Sequence, residues 1–503
     1  MTERKRGVLS CGVTLMVCSF LAKGIGAFYR LPLTNLLGAE GIGGYQLVFP
    51  VYVLALALTS SAIPVLLARQ IAKDAVFGYA VFHRTLHLMA LTGGIGALAL
   101  VALAYPLAYV QGYPAMALGY VVMAPAVLAV ALSAAFRGWF SATMHTGVLA
   151  IATLVEQVVK LTGLGFAVWL AKRGDVPAIL GALLGVTLGE IAALIWHFAA
   201  YYASGYRLGR PSIAVPASAV WRSSLPITAC NLVLPVVAGV DSLLLVNLSV
   251  ASGVARSVAV NRYGLLTGAV GAVTNLPVVL TLAFVTLVVP VVSRAVARRR
   301  IGEVRRSSAD TLWLVLALAL PCAVGLALLA PAVTTLLYPR LSEEERTYAA
   351  MLMRIASVGV PIIALQQVYN ALLQAVERSV TGAKQMAVGG AVKLAGNVVL
   401  VPLWGMVGAA VASLLCYLTV LVLHVVTYTR LTGRYTLSKP LAACTFASLC
   451  MGVSVWSLDR IIENNTLSVV LNVLLGGAVY AIILWCTHGA TWWRNRRASE
   501  GQT

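Results

Sequence analysis

The sequence predicts an all-α polytopic membrane protein with about 14 transmembrane helices. Three observations carry this reading. Hydrophobic residues make up 60% of the 503 residues, charged residues only 10%, and the mean hydropathy is +0.91. Apolar runs of about 20 residues recur along the chain, the length a helix needs to cross a hydrocarbon core of ~30 Å. Lipid offers backbone N–H and C=O groups no partner, so each run has to satisfy its own groups as helix.

In chain order the expected spans are 8–30, 45–68, 84–110, 116–136, 148–171, 178–203, 223–247, 264–293, 310–337, 347–376, 385–402, 405–429, 440–458 and 466–489. The first could be mistaken for a signal peptide. It lacks a small-x-small cleavage site and its apolar stretch runs long, so it reads as a transmembrane helix. The second holds Pro50 and Pro64, and the eighth holds Pro277 and Pro290. With Gly24 and Gly26 in the first span, these six residues are candidate hinges, because kinks in transport helices mark moving parts. The connections are short, the longest being 204–222 and 294–309, so any chemistry lies in the membrane or at its edges.

The basic residues support this order. With Met1 cytoplasmic, cytoplasmic segments carry 24 of the 36 lysines and arginines, external segments carry 8, and four lie within spans. That bias places both termini on the cytoplasmic side. The net charge of +20 is thereby read as a topology signal, and no nucleic-acid partner is expected. The acidic run "SEEERT" (342–347) falls outside and reads as a solvated charge cluster. Eight cysteines are scattered through apolar spans without a CxxC pair, which supports neither a metal site nor a disulfide framework.

"VVKLTG" (158–163) is echoed by "AVKLAG" (391–396), 233 residues later, and Pro64 by Pro290, 226 residues later. Spans 1–6 and 7–12 therefore read as two six-helix lobes, residues 1–222 and 223–439. Six is even, so the copies share an orientation, a parallel pseudo-twofold repeat of the kind built into alternating-access transporters. Residues 440–503 form an extra helix pair and a basic tail.

Each charge at mid-bilayer costs roughly 2.5–3.5 kcal/mol on insertion scales and marks a functional candidate. Here these are Lys23, Glu156, Lys160, Glu190, Asp241, Arg354 and Lys393. Glu156 and Lys160 are four apart and can pair. Arg354 lies near a span end and reads as structural, snorkelling outwards. Asp241 and Lys393 are expected to face a shared interior of one lobe and to pair. Asp241 and Glu190 are candidates for a coupling ion or proton. Lys23 and Arg30 lie on one helical face, and Lys23 has no acid within four residues. A wet cavity holding an anion explains an unanswered cation there; an acid on another helix is the bland alternative.

The same residues carry a family likeness. "GAFYRLPLTNLLGAEGIGGYQLVFP" (26–50), "FRGWFSATMHTGVLAIATLVEQVVK" (136–160), "LPITACNLVLPVVAGVDSLLL" (225–245), "RYGLLTGAVGAVTNLPVVL" (262–280) and "LVVPVVSRAV" (287–296) resemble the stage V sporulation protein B group. That group belongs to the multidrug/oligosaccharidyl-lipid/polysaccharide exporter superfamily, which includes the lipid II flippases of the MurJ type. The resemblance implies no enzyme and no cofactor. It implies an alternating-access flippase that moves a polyprenyl-diphosphate-linked glycan, above all lipid II, to the outer leaflet, in the setting of spore cortex synthesis. It also implies cell-wall synthesis proteins as partners beside the bilayer. Lys23 and Arg30 match basic positions facing the family's central cavity, and Glu156, Gln157 and Lys160 match an acid–amide–base set. Lys393 and the span-edge Arg294 complete the expected substrate-binding set. Asn35 departs from the pattern, standing where relatives often carry arginine. Membrane potential, sodium and protons are the candidate driving forces. The alternatives are a flippase for another lipid-linked polysaccharide unit, a cation-coupled multidrug exporter, a membrane-embedded glycan polymerase and a non-transporting scaffold. The short external loops disfavour the polymerase, and buried charges disfavour the scaffold.

Overall fold

The computed structural model describes residues 2–209, 215–433, 438–461 and 466–489. The side chains of residues 1–23, Lys23 among them, lie outside that description, as do Arg210, Arg434, Arg494, Arg496 and Arg497. The described chain is helical throughout, without a strand. It divides into two compact units, Met1–Ala269 and Val270–Thr503.

The first unit contains α1 (Thr2–Ser60), α2 (Ile63–Lys73), α3 (Ala75–Ala102), α4 (Ala104–Val110), α5 (Ala117–Ala142), α6 (Thr146–Ala171), α7 (Asp175–Ala203), α8 (Ala217–Ala251) and α9 (Arg256–Gly264). A π-helical turn, Leu265–Val270, follows. α8 and α9 both pack on α1. This is why the first compact unit extends past residue 222, the boundary of the sequence repeat.

Among the described residues thirteen helical segments are long and apolar enough to cross a membrane. The first, Gly24–Lys73, is 50 residues long and holds the end of the first expected span and all of the second. No loop separates them. Two helices meet at Gly38, whose φ of 69° and ψ of −177° break α1. Glycine enters that region without the clash a β-carbon brings. Pro50 lies inside α1, and Pro277 and Pro290 inside α10. Pro64 differs, since it occupies the first turn of α2, where its missing N–H breaks no helical bond. Gly24 and Gly26 lie in continuous helix.

Two helix contacts in this unit require glycine. A β-carbon on Gly185 of α7 would stand 2.3 Å from Cα of Gly163 on α6, and one on Gly189 would stand 2.7 Å from the carbonyl oxygen of Glu156. Likewise a β-carbon on Gly43 of α1 would stand 2.3 Å from the carbonyl oxygen of Val260 on α9. Small residues let helix backbones approach where lipid supplies no hydrophobic drive for association. Around these contacts one core gathers Leu33, Ile42, Tyr120, Val127 and Leu183, and a second gathers Phe82, Phe136, Trp139, Phe140 and Tyr201.

The second unit contains α10 (Gly271–Ala297), α11 (Ile301–Leu328), α12 (Ala330–Leu337), α13 (Glu343–Ala375), α14 (Ser379–Trp404), α15 (Met406–Thr432), α16 (Ser438–Ile461) and α17 (Thr466–Leu484). α10, α11, α13 and α15 share a core that includes Val292, Leu312, Val315 and Leu372. α16 and α17 pack on each other and on α11, where the Tyr480 hydroxyl donates to the Ala317 carbonyl at 2.7 Å. The acidic run has a local job: Ser342 and Glu345 form a reciprocal capping box at the start of α13, at 3.2 and 2.8 Å.

The sequence echo is matched in backbone conformation. α6 and α14 are each 26 residues long and begin 233 residues apart. The turns before them are alike. Met144 and Glu377, again 233 apart, both adopt φ of 61°. His145 N donates to Phe140 O at 2.9 Å, and Arg378 N to Leu373 O at 2.8 Å.

The α1–α9 contact supplies a stability prediction. Gly43→Val should lower unfolding free energy by about 1–3 kcal/mol through overpacking. Gly24→Ala, with nothing within 4 Å of the added carbon, should change it by no more than about 0.5 kcal/mol. Denaturant unfolding of the purified protein in detergent reads both.

Candidate functional site

Five charged residues of the first unit, Arg30, Arg137, Glu156, Lys160 and Glu190, form one cluster contributed by four helices. α6 supplies Glu156, Gln157 and Lys160, one turn apart on a half-buried face. The glycine contact with α7 holds this face close to Glu190. α5 adds Arg137, and α1 adds Arg30 with an aromatic face of Tyr29, Tyr45, Phe49 and Tyr52.

Glu156 does not pair with Lys160, as the four-residue spacing suggested. Its Oε2 meets the Arg137 guanidinium at 3.5 Å, and its Oε1 accepts from Gln157 Nε2 at 2.9 Å. Lys160 turns away: its Nζ lies 5.4 Å from the ring centre of Tyr29 and 5.6 Å from that of Phe49. Two ring faces satisfy part of an ammonium's charge where water is scarce. Among the described residues no carboxylate oxygen comes within 4.0 Å of this ammonium. Glu190 is buried, at 9% exposure, and its Oε2 has no hydrogen-bond partner among the described residues. Glu156, Arg137 and Lys160 lie within its electrostatic reach, and Tyr52, whose hydroxyl is also without a partner, lies within reach of both acids. Arg30 in turn acts on Lys160 and Tyr45.

Arg137 was not legible as a site residue. It sits one position past the expected edge of its span and read as a loop cation, whereas α5 continues to Ala142 and turns it inwards. Gly26 serves this site by space and not by bending: Gln157 Oε1 lies 3.1 Å from where its β-carbon would be.

A second polar network surrounds Pro50. Proline has no N–H, which leaves the Gln46 carbonyl without its helical donor. The Tyr263 hydroxyl of α9 donates to it at 3.1 Å. The next carbonyl, that of Leu47, accepts from Gln111 Nε2 at 2.8 Å. Gln111 Nε2 also reaches Ser242 Oγ at 3.3 Å, and its Oε1 accepts from the Tyr120 hydroxyl at 2.7 Å. The Gln46 side chain donates at 2.7 Å to the Thr267 carbonyl within the π-helical turn. Asp241, next to Ser242 on α8, is 6% exposed and lies within electrostatic reach of Tyr263.

The remaining expected residues lie in the second unit. Lys393 is half-buried on α14 in the second compact unit, and the packing of α8 on α1 assigns Asp241 to the first. Arg294 is exposed in the last turn of α10 and donates from Nε to the Pro290 carbonyl of its own helix at 3.1 Å. Arg354 is exposed on α13, as a snorkelling residue would be. Among the described residues no group of three or more acidic, histidine or cysteine side chains is arranged to hold a metal.

The fold is that of a multi-pass helical membrane protein, and its first unit gathers five charged side chains. The chain belongs to the polysaccharide biosynthesis protein family, whose model matches residues 10–296; a MatE family model matches residues 267–399. It is 23% identical over 451 residues to "Stage V sporulation protein B" of Bacillus subtilis (strain 168), covering 85% of this chain and 84% of that protein. It is 23% identical over 515 residues to "Lipid II flippase MurJ" of the same organism, covering 94% and 93%. Among solved structures, "Lipid II flippase MurJ, inward closed conformation" aligns with a TM-score of 0.73 at 13% identity, covering 96% of this chain and 99% of that one. An inward-facing MATE family multidrug resistance transporter of the MOP superfamily aligns at 0.69 and 14%, covering 80% and 93%. The fold is that of the MOP superfamily.

The Arg137–Glu156 contact is partly exposed, at 37% and 20% of the two side chains. Arg137→Ala and Glu156→Ala should each lower stability by about 1 kcal/mol, with a coupling of about 0.5–1 kcal/mol in the double mutant. Thermal unfolding of the four proteins in detergent measures that coupling.

Proposed function

We propose that this protein is an alternating-access flippase for a polyprenyl-diphosphate-linked glycan, with lipid II as its cargo. It moves the cargo from the cytoplasmic to the outer leaflet of a bacterial cytoplasmic membrane, with both termini cytoplasmic. The observation that carries the reading is the cluster in the first unit, where Arg30, Arg137 and Lys160 outnumber Glu156 and Glu190. A diphosphate diester brings two negative charges, and guanidinium and ammonium groups are what bind it. Lys23, on the same helix as Arg30, adds a further cation to that role. The names of the relatives support the cargo, and stage V sporulation protein B supports a place in spore cortex synthesis.

Transport of a lipid across the bilayer breaks no covalent bond, so binding and release at alternate faces suffice without a catalytic group or cofactor. Two repeats, 1–222 and 223–439, form the moving lobes, and the helix pair of 440–503 provides an apolar track for the polyprenyl tail. Kinked α1 and α10 bend during the cycle, through Pro50, Pro277 and Pro290. Membrane potential acting on the cluster, or a proton or sodium ion at Glu190 or Asp241, drives it. A multidrug exporter, the second reading favoured by the MATE fold likeness, takes cationic substrates and would place acids in excess at this site.

The test is lipid II exposure on the outer leaflet of cells whose own lipid II flippase can be shut off. Wild type should restore exposure. Lys23→Ala and Lys160→Ala should each lower it at least tenfold at equal membrane levels. A wild-type chain that reaches the membrane folded and restores nothing rejects lipid II as cargo.

A further inference from the structure

The Glu156 carboxylate sits where an anionic ligand would sit. One oxygen takes the Arg137 guanidinium, the other takes the Gln157 amide N–H, and the Lys160 ammonium is one helical turn away. A guanidinium, an amide N–H and an ammonium form a donor set for a phosphoryl group. The ion pair is a single contact at 3.5 Å between half-buried groups, and not a closed bidentate fork. Lys160 holds to two rings within reach of the same carboxylate. The seat is thus filled by a group the chain supplies itself, and one donor waits beside it.

We propose that Glu156 is a tethered stand-in for the phosphate of the cargo, holding Arg137 and Gln157 until a diphosphate displaces it. This rests on the flippase reading above and goes beyond it by assigning Glu156 a role opposite to binding. A transporter that alternates has to pass through its occluded state both loaded and empty. Loaded, the diphosphate answers the cations. Empty, the partly exposed Arg137 would be left without a counter-charge on a membrane-spanning helix, where an unanswered cation is disfavoured. Glu156 restores that counter-charge at each return. When cargo arrives, Arg137 and Gln157 turn to the phosphate and Lys160 leaves the rings of Tyr29 and Phe49 to join them. Glu156 is released towards the space these donors vacate. In this scheme Glu156 is a positioning residue, and Arg137 and Lys160 touch the cargo.

The test uses the full chain in lipid nanodiscs with a polyprenyl diphosphate as probe. Glu156→Gln should bind the probe about tenfold tighter than wild type, since it removes the competing anion. Glu156→Asp, which keeps the carboxylate, should bind like wild type. Arg137→Gln and Lys160→Gln should each bind at least tenfold more weakly. In proteoliposomes Glu156→Gln should flip the lipid more slowly despite its tighter binding, because the empty return loses its counter-charge. Glu156→Asn is the second neutral variant, should the glutamine variant not fold. A residue serving only as structural glue cannot raise affinity on removal. Wild-type binding with unchanged or weaker binding by the neutral variants overturns the stand-in role and leaves the flippase reading intact. No binding by wild type or by any variant overturns both.

Discussion

Arg137 and Glu156 lie 3.5 Å apart, partly buried on two helices long and apolar enough to cross a membrane. Charge in such surroundings has to be answered locally, and the first unit is organised around that demand. Glu156 is answered by Arg137 and Gln157, and Lys160 by the rings of Tyr29 and Phe49. The α6–α7 glycine contact lets α7 lie against the backbone of Glu156 itself, so Glu190 enters the same group. A side chain larger than hydrogen at Gly189 would separate α7 from the helix that carries the acid, the amide and the lysine.

The same demand applies to the backbone. Pro50 opens a gap in the hydrogen bonding of α1, and the gap is closed from other helices by Tyr263 and Gln111. The π-helical turn after α9 presents the Thr267 carbonyl, which the Gln46 side chain answers. Side-chain hydroxyl and amide groups thus answer the carbonyl that Pro50 leaves without a donor and its neighbour. This network includes Ser242 and lies beside Asp241, which joins α8 to the bend in α1.

Membership of the polysaccharide biosynthesis protein family and the likeness to named flippases fit a flippase for a lipid-linked oligosaccharide. In the function proposed above, the excess of cations over acids in the cluster is what separates an anion carrier from an exporter of cationic drugs within one fold. The fold itself does not make that distinction, since both kinds of transporter share it.

Helical spans, their order and their repeat were legible because they follow from local properties: run length, apolarity, and residues recurring at a fixed offset. The matching turns at Met144 and Glu377 are the repeat written in backbone. The sequence also marked Glu156, Gln157, Lys160 and Glu190 as charges or amides in apolar runs that would need an answer. It did not reveal the answers. Spacing along one helix suggested Lys160 for Glu156, but the pair chosen was Arg137, from a different helix. Only packing decides which of several reachable cations an acid meets. The break at Gly38 likewise looked like a loop, since one residue's positive φ leaves no mark on hydropathy. By itself, then, the sequence determined an all-helical membrane chain with charges that cannot stand alone. The tertiary structure decided their partners, because those contacts join residues far apart in the chain and depend on how closely glycine lets the helices approach.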